Sequence, residues 1–393
     1  MLPTRPAPSR SRRLRLSTVA LVAGACVAGL VSAPAQAKEP SPGERELRQR
    51  LWGLVRAEGG PPGAIAVLRR GDDVRVVRAG VAELGTDRSP QPTDHMRIAS
   101  TAKAFTGAVA LQLVDRGKLR LDDTIGKRLP ALPAAWRRVT LRQLLQHTSG
   151  LPDYTTAPQF VRLLSEDPRR RFDSRRLLDF VAGEPLAFRP GSRYRYSNSD
   201  NIAVALMAEA VTGRPYEELL RTTVYRPLNL RDTSLPQGFR LPEPYLHGYE
   251  VAPQEPPEDV STVLSASGVW ASGGIVSTPK DLTSFIRAYA GGRLISKETR
   301  RQQLKWVAGG SEPAGPGRNA AGLALFRYTT RCGVVYGHTG NFPGYTQLAA
   351  ATADGSRSLT FSLTAQVNKE NKPELLERVR DVQEDFVCDL LKR

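Results

Sequence analysis

The stretch that decides the fold is Arg97–Phe105, which reads RIASTAKAF. Ser100 and Lys103 are three residues apart within it, so on a helical turn they share one face. A serine hydroxyl is a weak nucleophile until a base takes its proton, and a lysine can be that base when burial or a neighbouring cation lowers its pKa. The apolar run Ala102–Val114 has helical spacing, and Gly117 supplies its C-cap. The stretch therefore predicts a nucleophilic serine at the start of a buried helix, where the helix dipole favours negative charge.

The N-terminal segment is typical of an export signal. Five arginines precede the apolar run Leu16–Val31, and Ala35–Ala37 is a small-residue cleavage site. The apolar run is short and rich in Gly and Ala, which argues against a membrane span. We expect the mature protein to begin near Lys38, to be secreted and to have no membrane span. Ser11–Arg13 also admits twin-arginine export, and Cys26 leaves a lipid-modified cysteine open.

The chain is strongly basic. Its 393 residues carry a net charge of +17, and loss of the five arginines of the signal leaves about +12. A basic exported protein is drawn to anionic wall polymers or lipid surfaces, although a solvated arginine-rich face has the same composition. No zinc knuckle, RNA-binding motif or alternation of basic and aromatic residues indicates nucleic acid.

Histidines and cysteines are few. The four histidines have no metal-ligand spacing with Cys, Asp or Glu, so we expect neither a metal nor an organic cofactor.

Cys332 and Cys388 remain once the signal is removed. An even pair in an oxidising compartment predicts that they form a disulfide.

Strand patterns lie near both ends of the chain, and helical patterns lie between them. Short β-rich runs occur within 63–81 and again within 323–365, whereas 100–265 is mostly helical with long loops. The economical arrangement is an α+β fold, with an antiparallel five-stranded sheet, flanking terminal helices and an inserted helical domain. We expect a sheet domain from 38–99 and 266–393, with the active site at its interface with the helical domain.

Two further patches carry residue types that suit serine chemistry. Tyr196–Asn198, YSN, lies in a turn before a helical run. A tyrosine can relay a proton if nearby cations lower its pKa, and an asparagine amide can orient a substrate carbonyl or Lys103. His338–Gly340, HTG, ends a β-rich run, and its glycine admits close approach of a substrate backbone. The N–H groups of Asn341 and Ser100 could together form an oxyanion hole.

Each patch alone is common as a cap or a turn, but the three occur together and in order. They resemble the three motifs of serine β-lactamases and penicillin-binding proteins, with Tyr-Ser-Asn and His-Thr-Gly in the second and third places. That variant is most similar to the class C type, in particular to secreted D-alanyl-D-alanine carboxypeptidases, which have His in the third motif. Leu111–Leu119, His147–Leu151 and Val335–Gly340 also match, and the resemblance covers nearly the whole mature chain.

The resemblance implies roles for the first two motifs. Ser100 would be acylated by the substrate carbonyl. Lys103 and Tyr196 would share the serine proton and pass it to the leaving amine. Asn198 would hold Lys103 and the acyl amide.

The third motif and its surroundings would bind substrate. His338 would tune the charge near the motif-two tyrosine, Thr339 would bind a substrate carboxylate, and His147 would be structural. The resembling carboxypeptidases place an arginine on the preceding strand. Here Phe326 takes that place and Arg327 follows it, and a one-residue shift reverses the face of a strand unless a bulge restores it. We expect Arg327 to reach the cleft and support Thr339.

The function implied is that of a secreted serine DD-peptidase that cleaves peptidoglycan peptides ending in D-Ala-D-Ala through an acyl-enzyme. β-Lactams would be its covalent inhibitors. The alternatives are a β-lactamase, an esterase or a D-amino-acid peptidase of the same fold, because sequence motifs do not report the rate of deacylation. A third hypothesis is a penicillin-binding sensor that is acylated without turnover.

Overall fold

The computed structural model of the protein describes residues 41–252 and 254–392. The predicted signal segment at residues 1–37, its cleavage site and Cys26 lie outside these ranges. Within the described residues, no helix combines the length and the apolar character needed to cross a bilayer.

The strands, numbered in chain order, are β1 (Gly63–Arg70), β2 (Asp73–Gly80), β3 (Met96–Arg97), β4 (Tyr249–Glu250), β5 (Glu258–Asp259), β6 (Val276–Ser277), β7 (Val307–Ala308), β8 (Arg318–Ala321), β9 (Phe326–Thr330), β10 (Gly333–Phe342), β11 (Tyr345–Ala351) and β12 (Arg357–Leu363). The α-helices are α1 (Pro42–Val55), α2 (Ala102–Asp115), α3 (Ile125–Arg128), α4 (Leu141–Leu145), α5 (Pro158–Glu166), α6 (Asn198–Thr212), α7 (Tyr216–Leu220), α8 (Trp270–Gly273), α9 (Pro279–Ala290), α10 (Lys297–Gln303) and α11 (Pro373–Leu391).

Eight of these strands form one antiparallel sheet, in the order β2-β1-β12-β11-β10-β9-β8-β7. The N-terminal hairpin joins the C-terminal strands where β1 pairs with β12, with Ala66 opposite Phe361. The sheet is thus built from both ends of the chain, and the predicted α+β fold is confirmed. The predicted strand count of five is corrected to eight, and the edge strands β7 and β8 are too short to show a repeating apolar pattern in the sequence.

Helices cover both faces of this sheet. Helix α9 packs against β1, β11 and β12 on one face, and α1 and α11 pack on the other. The residues of β12 show the division. Leu359, Phe361 and Leu363 belong to the apolar cluster with α1 and α11, whereas the hydroxyl of Thr360 lies 2.9 Å from that of Thr283 on α9. This alternation is expected for a strand that is buried on both faces.

Helix α2 runs through the larger apolar cluster. Its first twelve residues are all buried, and Phe105 stacks on Phe285 of α9 with ring centroids 3.5 Å apart. The helix ends at Asp115, and Gly117 has a φ of +66° that suits a residue just beyond a helix C-terminus. This cluster contains residues of both predicted domains, and the division of the chain into two domains stays a prediction.

The structure joins Cys332, which directly precedes β10, to Cys388 on α11, with Cα atoms 5.1 Å apart. The bond links the strand that carries the His-Thr-Gly motif to the C-terminal helix. Its formation in the exported protein stays a prediction.

Candidate active site

Ser100 lies in a single 3₁₀ turn, Ala99–Thr101, directly before α2. Ala99 has a φ of +50°, a left-handed conformation that a residue with a Cβ adopts only where the surroundings enforce it. The strand just upstream supplies part of that support, since buried Arg97 donates its guanidinium to three backbone carbonyls. The serine is therefore held on a turn that is fixed from both sides.

Lys103 is buried behind this turn, with 1% of its surface exposed. Its Nζ lies 3.0 Å from Ser100 Oγ, 2.8 Å from Asn198 Oδ1 and 2.7 Å from the carbonyl oxygen of Ser272. Burial lowers the pKa of Lys103 to about 7, although nearby carboxylates such as Asp153 oppose the shift. Near neutral pH a large share of the amine is therefore uncharged and can accept the serine proton.

Tyr196 lies beside the lysine, with Lys103 Nζ 4.9 Å from the centroid of its ring. Burial raises the pKa of Tyr196 well above its ordinary value, and the neighbouring Ser100 hydroxyl offsets this only in part. The two hydroxyls nevertheless do not form a hydrogen bond of normal geometry, and among the described residues the buried phenol oxygen has no partner. The phenol therefore keeps its proton at neutral pH. It can donate a proton, whereas Lys103 is the group able to accept one.

Asn198 is the first residue of α6, and its side chain is oriented by Asp153. One carboxylate oxygen of Asp153 accepts from the backbone N–H of Asn198 at 2.9 Å and from its Nδ2 at 3.0 Å. The other oxygen accepts from the N–H and the hydroxyl of Thr155, at 3.0 and 2.8 Å. Because the amide nitrogen is engaged in this way, the amide oxygen faces Lys103.

A buried histidine–aspartate pair supports Tyr196. The ring of His147 lies 4.5 Å from the tyrosine ring, and its Nδ1 is 2.9 Å from Asp200 Oδ2. Burial lowers the pKa of His147 to about 3 and raises that of Asp200 well above its ordinary value. His147 does not line the cavity described below, and its structural role stays a prediction.

The His-Thr-Gly residues on β10 direct their polar atoms into the protein. His338 Nδ1 lies 2.5 Å from the carbonyl oxygen of Thr339. Its Nε2 is buried without a partner among the described residues. Burial lowers the pKa of His338 to about 3, so the imidazole is neutral at physiological pH. The Thr339 hydroxyl donates to the carbonyl oxygen of Pro313 at 2.6 Å.

Gly340 brings β10 against the turn that carries the serine. A Cβ at this position would lie 2.5 Å from the carbonyl oxygen of Ile98 and 3.1 Å from the Cβ of Ala99. Any larger residue would push the strand away from the turn. The next residue, Asn341, is thereby placed close to Ser100 at the surface of the same cavity.

A cavity of about 700 Å³ opens between the Ser100 turn, the end of β10 and the start of α11. This volume suits a ligand the size of a short peptide. Its walls contain both polar and apolar side chains. The polar residues include Ser100, Thr155, Tyr196, Asn198, Ser272, Glu312 and Asn341, and the apolar ones include Val269, Phe342 and Leu376. Of the residues predicted from the sequence, the structure therefore brings four to the cavity wall and buries Lys103 behind them. His338, Thr339 and Gly340 adjoin the wall without lining it.

Arg327 lies outside this cavity, contrary to expectation. Its guanidinium carbon is 5.3 Å from the ring centroid of Trp306. Strand β9 begins only at Phe326, and its register places Arg327 opposite Tyr336. On β10, Tyr336 and Thr339 are an odd number of residues apart and so face opposite sides of the sheet. The expectation that Arg327 reaches the cleft and supports Thr339 is therefore wrong.

Three residues of the site escaped the sequence analysis. The carbonyl of Ser272 leaves no trace in a side-chain pattern. Asp153 follows closely after His147–Leu151, and its spacing to Thr155 is typical of a residue that caps a turn, so only its local role was visible. Glu312 sits in a loop between edge strands without any periodic signal. In the part of the chain that the structure describes, no group of three or more His, Cys, Asp and Glu residues could hold a metal ion.

Residues 45–384 match the family described as Beta-lactamase, and the chain belongs to it. A penicillin-binding protein of Bacillus subtilis strain 168 is 25% identical over 337 residues, which cover 81% of this chain and 72% of that protein. The crystal structure of a D-stereospecific amidohydrolase from a Streptomyces species is 31% identical with a TM-score of 0.74, and the match covers 86% of this chain and 98% of that chain.

A second similar structure is the D-amino acid amidase of Ochrobactrum anthropi SV3 in complex with D-phenylalanine. It has a TM-score of 0.76 and 23% identity, covering 89% of this chain and 100% of that chain. This likeness shows the fold alone. The predicted membership of the serine β-lactamase and penicillin-binding protein superfamily is confirmed, and the protein is a serine hydrolase by family. The finer assignment to the class C type stays a prediction.

Proposed function

We propose that the protein is an exported serine hydrolase that cleaves amide bonds of D-amino-acid substrates through an acyl-enzyme on Ser100. The observation that carries the proposal is the 3.0 Å contact between Lys103 Nζ and Ser100 Oγ at a cavity wall, with the pKa of the lysine lowered to about 7. A nucleophile in contact with a base of suitable pKa is what covalent catalysis requires. The named activities of the similar proteins, penicillin binding and D-stereospecific amide hydrolysis, support the substrate class.

The reaction would begin when uncharged Lys103 takes the proton of Ser100 as Oγ bonds to the substrate carbonyl carbon. The N–H groups of Ser100 and Asn341 would stabilise the oxyanion, a contribution of roughly 10²–10³ in rate for one such donor. Tyr196 would donate its proton to the leaving nitrogen as the C–N bond breaks, and the lysine ammonium would return a proton to the phenolate. Water would then hydrolyse the ester and restore the serine hydroxyl.

Two substrate types are candidates within this reaction. A peptidoglycan D-Ala-D-Ala carboxypeptidase needs a group that binds the terminal carboxylate of its substrate. The residues expected to do so, Thr339 and Arg327, do not line the cavity. That observation favours substrates without a terminal carboxylate, such as D-amino acid amides. The exposed Lys369 of the lining is a cation that could bind such a carboxylate, so the carboxypeptidase stays the second candidate.

One experiment with three substrates separates these two candidates from a β-lactamase and from a penicillin-binding sensor. The purified mature protein is incubated with a fluorescent penicillin, with a tripeptide ending in D-Ala-D-Ala, and with D-phenylalanine amide. We expect a covalent label together with ammonia release from the amide. D-Alanine release from the tripeptide instead supports the carboxypeptidase, rapid label loss without amide or peptide cleavage supports a β-lactamase, and stable label without any turnover supports a sensor. Absence of both label and turnover would refute the proposal.

Export is a part of the proposal that can be tested separately. The full-length chain is expressed in a bacterium and the mature protein is recovered from the culture medium. We expect an N-terminus close to Lys38. Retention of the uncleaved chain in the cytoplasm would refute export and leave the proposed chemistry untouched.

A further inference from the structure

Glu312 is an acidic residue of the cavity that the proposed mechanism does not use. It lines the same cavity as Ser100, Tyr196 and Asn198. The residue keeps a solvent-exposed surface, while the cavity walls cover part of its side chain. Among the described residues it makes no hydrogen bond and no salt bridge. The carboxylate is therefore available to a ligand in the cavity.

The backbone on both sides of Glu312 is anchored. The Ser311 hydroxyl lies 3.0 Å from the Tyr328 hydroxyl and donates to the carbonyl oxygen of Pro313 at 3.2 Å. The same carbonyl oxygen accepts from the Thr339 hydroxyl at 2.6 Å. Thr339, which was expected to bind substrate, thus fixes the loop that presents Glu312. A carboxylate on a fixed backbone is suited to recognition, because little freedom is lost on binding.

Glu312 is also close enough to the reacting groups to influence them. Burial by the cavity walls raises the pKa of Glu312, and the positive charge of Lys103 opposes that shift. In return, Glu312 raises the pKa of Lys103 and of Tyr196. Because Ser100 and Glu312 line the same cavity, a ligand of short-peptide size that is acylated at Ser100 can reach this carboxylate.

The charge balance of the cavity points to a cationic ligand group. The lining holds the acids Glu312, Glu370 and Glu377 and the cation Lys369. Glu377 is paired with Arg380 at 2.8 Å, whereas Glu312 has no such partner among the described residues. The chain as a whole carries a net charge of +17, so this unpaired carboxylate in the cavity that contains the nucleophile has the sign opposite to that of the whole chain. Desolvation of an anion is unfavourable unless a hydrogen-bonded cation compensates it. A substrate cation could supply that compensation.

We propose that Glu312 determines specificity by binding an ammonium group of the substrate. The inference rests on the proposed function and adds the substrate feature that the site selects. Two sources share this chemistry, namely the α-amino group of a D-amino acid amide and the side-chain amine of a lysine-containing peptide. Substrates with a free amine are thus preferred over their N-acetylated counterparts.

The test uses two matched substrate pairs and the Glu312→Gln variant, which keeps the side-chain shape and removes the charge. One pair is D-alanine p-nitroanilide and its N-acetyl derivative. The other is Nα-acetyl-L-Lys-D-Ala-D-Ala with and without an acetyl group on Nε. We expect the variant to lower kcat/KM for a free-amine member about tenfold to a hundredfold, the range for loss of a hydrogen bond between charged groups. The blocked member should change far less. The pair that responds identifies the source of the ammonium.

Glu374→Gln is the control, because Glu374 is exposed on the first turn of α11 and lies outside the cavity. It should leave both ratios of free to blocked substrate at the wild-type value. If Glu312→Gln also leaves both ratios unchanged, the inference is overturned. Equal slowing of every substrate would then show that Glu312 acts on the reacting groups instead. Fluorescent penicillin labelling is measured alongside. Labelling that persists while the ratios stay unchanged overturns the inference alone, whereas a wild type that neither labels nor hydrolyses any substrate refutes the proposed function with it.

Discussion

The two sides of the cavity are built in different ways. On the helical side, Ser100, Lys103 and Asn198 are joined by hydrogen bonds that continue to Asp153. On the strand side, Thr339 bonds to a neighbouring loop, and Gly340 packs against the serine turn. In the proposed reaction, the helical side therefore carries the groups that exchange protons. The strand side fixes the position of that turn and of the opposing loop.

Two buried bases show the same contrast. Burial lowers the pKa of Lys103 from its ordinary value of 10.5 to about 7, while Asp153, Glu312 and Asp200 oppose the effect. Burial lowers the pKa of His338 to about 3, where Lys103 adds to the effect. Only the lysine therefore changes its charge near neutral pH, and the histidine contributes as a neutral ring.

The largest effect is expected for the nucleophile itself. Ser100→Ala should abolish covalent labelling by a fluorescent penicillin, because no other proposed nucleophile lines the cavity. The circular dichroism spectrum and melting temperature should stay near the wild-type values. Labelling of the variant at the wild-type level would show that the helical side has been assigned the wrong reacting group.

Removal of either proton carrier should slow acylation by about 10²-fold or more, the usual scale of general acid–base catalysis. The variants are Lys103→Ala and Tyr196→Phe, and the measurement is the second-order rate constant of penicillin acylation. Lys118→Ala is a matched control, since Lys118 is exposed beyond the end of α2. Near-normal rates in both site variants would place the proton relay elsewhere.

The pH dependence of acylation should report Lys103 alone. Since the uncharged amine is the base and its pKa is about 7, the rate constant should rise between about pH 6 and about pH 8 and then level off. His338 is already neutral across this range and should add no second step. A rate constant that does not vary from about pH 5 to about pH 9 would contradict the assignment of Lys103 as the base.

Removing the disulfide on the strand side should lower the free energy of unfolding without abolishing acylation. Cys332 and Cys388 are 56 residues apart in the chain, and for a loop of this size the chain-entropy relation predicts about 4 kcal/mol of stabilisation. The double variant Cys332→Ser/Cys388→Ser should therefore unfold at lower denaturant concentration and, while folded, still be labelled by penicillin. Two free thiols in the intact mass of the exported wild type would rule out the disulfide.

The smallest effect is expected at Arg327. Because its guanidinium lies over Trp306 and outside the cavity, Arg327→Ala should leave the ratio of peptide to ester hydrolysis unchanged. The ratio is measured with a tripeptide ending in D-Ala-D-Ala and a neutral ester. A selective loss of about tenfold or more on the peptide would show that Arg327 does bind a carboxylate, and would restore the carboxypeptidase as the first candidate.

The sequence by itself determined which groups are proposed to react on the helical side. Ser100 and Lys103 are three residues apart at the start of an apolar helix, so local geometry alone places them together. The order of Tyr-Ser-Asn and His-Thr-Gly after them indicated the family, and the distribution of strand patterns indicated a sheet made from both ends. These features depend on spacing, composition and order, which a sequence displays directly.

Only the tertiary structure decided which groups share the cavity. Asp153 and the Ser272 carbonyl bond to the proposed catalytic residues from distant parts of the chain, and Glu312 lines the cavity that contains them. The face of the sheet on which the Arg327 side chain lies depended on the register of β9, because a shift of one residue moves a side chain to the opposite face. The pKa values of Lys103 and His338 likewise follow from burial, since the cost of desolvating a charge is set by three-dimensional surroundings that no local pattern encodes.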